Sequence, residues 1–82
     1  MRQKVALIGS GTGPWISTVE LQRPELYISG LRSGTHVVLE QSSSPTVEST
    51  FEQNGTFSVE RAKWMRVRTE GKATVVARIR ER

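Results

Sequence analysis

A chain of 82 residues without cysteine holds one small domain with no disulfide and no Cys-His metal cage, so its stability must come from packing or from a partner. The apolar run at residues 5–8 is too short for the core of a secretory signal, and no stretch reaches transmembrane length. The net charge of +4 is uneven, with four basic side chains against six glutamates in residues 1–60 and eight against two in residues 61–82, an asymmetry that points to an acidic partner, protein or nucleic acid.

Residues 4–8 alternate as a short strand with Val5 and Leu7 on one side, and end at Gly9-Ser-Gly-Thr-Gly-Pro14. A dinucleotide site would require a helix to open at the third glycine. Pro14 and Trp15 follow instead, so the stretch reads as a loop between strands. Residues 16–21 alternate next, with Val19 and Leu21 on one side, and Pro24 centres a turn over residues 22–25. A short strand at 26–28 and a turn at 30–34 lead to residues 35–41. There Val37 and Leu39 alternate against His36, Val38 and Glu40, which predicts a central strand. Residues 42–45 read as a surface loop.

Phe51 and Phe57 belong on one core face, and residues opposite each other in an antiparallel pair point the same way. That parity selects a hairpin with the three-residue loop Gln53-Asn54-Gly55, placing Gly55 in a left-handed bulge position. Residues 60–63 form a single turn or a crossover. The chain closes on a predicted hairpin over residues 64–82, flanking Gly71. One face carries Met65, Val67, Thr69, Val75, Ala77 and Ile79, and the other Trp64, Arg66, Arg68, Arg78 and Arg80. About seven or eight short strands with regular turn signals predict a small antiparallel β-sandwich of the immunoglobulin-like kind. It forms a single domain over residues 1–82, in which residues 1–14 are a strand and glycine-rich loop or an extended arm.

The chemistry of an enzyme is not visible. There is no aspartate, His36 is the lone histidine, and Glu20, Glu40, Glu48 and Glu52 fall on the polar sides of strands rather than converging on a pocket. No metal-ligand spacing and no cofactor motif occurs. The arginine face with Trp64 is therefore the partner-binding surface, with Trp15 and Lys63 as further assembly contacts. Trp15 beside Pro14 reads as an exposed anchor or, in a chain this small, as a lid on one end of the core. Strict alternation turns Trp64 outward, under Arg66 or Arg78, whereas a bulge would turn it inward. Only Glu70 and Glu81 lie near enough to balance the arginines, which leaves an acidic protein surface or a nucleic acid to do so. The nucleic-acid alternative, a small basic β-barrel, lacks an aromatic platform on this face.

Gly34-Thr-His-Val-Val-Leu-Glu-Gln-Ser42, then Asn54-Gly-Thr-Phe57, Trp64-Met-Arg-Val-Arg68 and Thr74-Val-Val-Ala-Arg-Ile79, resemble in this order the strands of small β-sandwich accessory proteins of tailed-bacteriophage virions. The similarity covers residues 30–80. It implies a capsid decoration or cement component without catalysis or cofactor, made in the host cytoplasm and located in the virion. Its partner would be the major capsid or another virion protein, with self-association in symmetric copies and no membrane. A part of the head–tail joint or tail is the alternative within the same resemblance.

Overall fold

The alternation read in the sequence becomes an alternation of burial. A computed structural model describes residues 3–42, 44–72 and 74–81, with strands β1 (Gln3–Gly9), β2 (Ile16–Ser17), β3 (Pro24–Ser29), β4 (His36–Ser42), β5 (Val47–Phe51), β6 (Gly55–Ser58), β7 (Trp64–Glu70) and β8 (Val75–Glu81). They form two antiparallel sheets of four strands, ordered β1-β8-β3-β6 and β2-β7-β4-β5. Leu26, Ile28, Val75, Ala77 and Ile79 from the first sheet meet Val37, Leu39, Met65 and Val67 from the second in one closed core. Removing these apolar side chains from water is the main favourable contribution to folding. The all-β sandwich is thus the fold, and β4 is an interior strand, as predicted. The last strand is inserted between β1 and β3, where an immunoglobulin constant domain keeps it beside the preceding strand.

Both predicted hairpins are instead arches between the sheets. β7 pairs with β4 and β2, whereas β8 pairs with β1 and β3. β5 pairs with β4, and β6 with β3. Either connection keeps the apolar faces turned toward each other, within one ladder or across the core, so alternation does not choose between them. Phe51 and Phe57 still meet, with ring centroids 4.8 Å apart, but across the sheets rather than along a ladder. The arch between them is tied down by Asn54. Its Oδ1 accepts from the Leu31 N–H at 2.7 Å, and its Nδ2 donates to the Leu31 carbonyl at 3.1 Å. Asn54→Ala should lower stability by about 1 to 2 kcal/mol. A urea unfolding midpoint equal to that of the wild type would refute this role.

The N-terminal strand forms as its alternation predicts, whereas the arm alternative and the facing of Val5 need correction. Residues 3–9 are no detached arm but an edge strand of the first sheet, and a register shift between Val5 and Leu7 leaves Val5 exposed while Ala6 and Leu7 are buried. The glycine-rich loop runs along the edge of β7, where Gly11 O accepts from Thr69 N and Gly13 N donates to Val67 O, each at 2.8 Å. The strand expected over residues 16–21 is only Ile16–Ser17. Thr18 Oγ1 then donates to the Ala62 carbonyl at 2.5 Å, and Leu21 N turns back to Thr18 O. Thr18 and Leu21 are buried and Val19 is exposed. Pro24 opens β3 opposite Glu81, a strand-end position that a residue without an N–H tolerates. Residues 60–63 form the crossover between sheets, without a helix.

Candidate functional site

The sheet order divides the arginines. Arg66 and Arg68 lie on the outer face of one sheet, Arg78 and Arg80 on the outer face of the other, so the single basic face expected from residues 64–82 does not exist. On β7, the outward residues Trp64, Arg66, Arg68 and Glu70 stand opposite Ser42, Glu40, Val38 and His36 of β4. Glu40 takes Arg66 Nη2 at 2.5 Å and Arg68 Nε at 3.0 Å. Arg68 also reaches Glu48 at 2.8 Å and Glu70, and Glu70 meets His36 Nε2 at 2.5 Å. To reach Glu48 on β5 the Arg68 side chain must pass over β4, which buries Val38 to 3 % exposure although it points outward. The cross-strand glutamates that neutralise this face come from β4 and β5, strands that the hairpin reading had not placed beside it. The two arginines and three glutamates of the ladder together leave one negative charge, facing His36.

The Arg66 hydrogen bond holds the Glu40 carboxyl below the usual range against the opposing effect of burial, with Arg68 adding to it. Arg68, and then His36, do the same to Glu70, and the three carboxylates hold the Arg68 guanidinium above its ordinary value. A depressed carboxyl contributes stability that is present above its unfolded value and lost as pH falls through its folded one. Glu40→Gln should therefore cost about 1 to 2 kcal/mol at neutral pH and flatten the acid limb of the stability curve below about pH 4. Parallel curves for the variant and wild type would contradict the assignment.

At the end of this face the chain presents both tryptophans. Trp15, on the segment along the edge of β7, lies beneath Arg66, with the guanidinium carbon 4.5 Å from the ring centroid. Trp15 is thus a surface residue, not a lid on the core, and it takes the stacking position under Arg66 that the sequence offered to Trp64. Trp64 points outward without a bulge, between Ser17 and Ser42. Trp15, Ser42 and Trp64 line an open, largely apolar hollow of about 310 Å³. Lys63 is exposed next to Trp64.

The opposite face is organised in rows across the strands. Gln3, Arg80, Glu25 and Ser58 form one row; Val5, Arg78, Tyr27 and Thr56 the next; Ile8, Val76 and Ser29 the third. Arg80 lies over Tyr27, 4.9 Å from the ring centroid, and donates to Thr56 Oγ1 at 3.0 Å. Arg78 has no ion-pair partner among the described residues. Tyr27, Val5, Ile8 and Val76 were absent from the site expected from sequence. Their outward parity was readable in part, but their place beside Arg78 depends on the β1-β8-β3 order.

Among the described residues no cluster of three or more His, Cys, Asp or Glu is placed to hold a metal. Comparison with protein-family models, curated proteins and solved structures finds no match to this chain.

Proposed function

We propose that this chain is a non-enzymatic structural protein of a virion, a capsid decoration component that docks on the assembled shell through its tryptophan-bearing face. The observation that carries the reading is the pair Trp15 and Trp64, each 41 % exposed, framing an apolar hollow beside a guanidinium locked to Glu40. Tryptophan and arginine are the side chains most often found at the energetic centre of protein interfaces, and rigid anchors lose little entropy on binding. The resemblance over residues 30–80 supplies the particle, and its segments fall on β4, β6, β7 and β8.

The test is co-sedimentation of the Trp15→Ala, Trp64→Ala double variant with shells purified from the source lysate. Loss of two interface anchors should weaken association by roughly a hundredfold or more, with an unchanged fold by circular dichroism. Undiminished occupancy would overturn the docking face. Quantitative mass spectrometry of the particles decides the position. A copy number comparable to the main shell protein fits decoration, and a few copies per particle fits the head–tail joint or tail.

A further inference from the structure

We infer that the outer face of the β1-β8-β3-β6 sheet is a second docking surface, for a segment of another protein that carries carboxylates beside aliphatic side chains. Arg78 sits at the middle of the face, with no partner of its own among the described residues. A guanidinium in that position offers a fork that matches a carboxylate. Arg80 is already held by the Tyr27 ring and the Thr56 hydroxyl, so a ligand would not have to immobilise it.

The aliphatic neighbours decide the class of partner. Val5 is 50 % and Ile8 67 % exposed, and with Val76 they flank Arg78 on two sides in register. A phosphate backbone would neutralise the arginines and gain nothing from these three side chains. Nor does the face offer a platform for bases, because the Tyr27 ring lies under Arg80. An acidic protein segment with valine or leucine on the same side satisfies both chemistries. This surface and Trp64 belong to the outer faces of different sheets, so the two faces are open to different neighbours at once. In the docking role proposed above, on which this consequence rests, the protein bridges a shell and a second component.

The experiment is a two-dimensional amide NMR titration of the full chain. The probes are a short peptide with glutamate and valine at alternate odd positions and serine between, a polyglutamate of the same length, and a single-stranded oligothymidylate of matching charge. The expected result is shifts confined to amides of β1, β8 and β3, with the mixed peptide binding tightest and Arg78→Glu weakening it roughly tenfold or more. Unshifted Leu39 and Val67 amides verify the fold of the variant, and Arg78→Gln replaces it should the reversal unfold the chain. Tighter binding of the oligothymidylate would overturn the inference in favour of nucleic acid. Equal binding of polyglutamate would overturn the role of the aliphatic rows, and shifts confined to the Trp15 and Trp64 region would overturn the surface itself. None of these results depends on the fate of the tryptophan variants on particles.

Discussion

Gly13→Ala should cost about 3 kcal/mol or more, a large share of the roughly 4 to 12 kcal/mol that holds a domain of this size together. A Cβ at Gly13 would collide with the Ala6 carbonyl oxygen, and it would lie 3.2 Å from the Val67 carbonyl oxygen. Both obstacles are backbone, one at the residue of β1 between the paired Val5 and Leu7, the other in β7 at Val67, which is paired with Leu39. Here the chain leaves one sheet and joins the edge of the other, and Gly13 N is itself bonded to Val67 O. Relief therefore requires the two sheets to separate locally. Gly9 is the control. It has a φ of 112° and nothing near its missing Cβ, so alanine there meets only the backbone penalty, about 1 to 2 kcal/mol. Urea midpoints that fall equally for the two variants would refute the steric argument.

Leu39→Ala is expected to cost about 3 to 4 kcal/mol, within the range for truncating a fully buried leucine. Leu39 is inaccessible to solvent, lies in an interior strand, and stands between Ser49 of β5 and Val67 of β7. With neighbours fixed on both sides, the cavity has little freedom to collapse. Val38→Ala, one residue earlier, should cost about 1 to 2 kcal/mol, because it removes only two carbons, and from the outer face of the sheet rather than from the core. Thermal melts comparing the two variants test this, and a loss at position 38 as large as at 39 would mean that the outer face is packed like the core.

The inward or outward direction of most strand residues was legible in the sequence, because a pleated chain with one buried face must alternate. Val37 and Leu39, Met65 and Val67, and Ala77 and Ile79 all fell where their parity put them. Which strand lies beside which was not legible. Gly55 and Gly71, with φ of 147° and 102°, serve a tight hairpin or an arch between layers equally well, and an apolar strand is content with either. The error at Gly71 then propagated to the site, because it merged two arginine pairs that belong to opposite faces and hid Glu40 and Glu48 from Arg66 and Arg68. Val5 went wrong for a different reason. The shifted register in β1 is imposed by its pairing with β8, which no local pattern announces.

The two arches also govern how the molecule must assemble. Of the strand pairings in both sheets, only that of β4 with β5 joins strands adjacent in sequence. Every other ladder closes a long loop before any contact repays it, a high contact order that places folding in the slow, millisecond-to-second regime of all-β domains. Because β8 separates β1 from β3, the first sheet has no continuous ladder until residues 75–81 have left the ribosome. Until then the edges of β1 and β3 are open to the wrong partners, and a neighbouring copy made on the same message is the nearest of them.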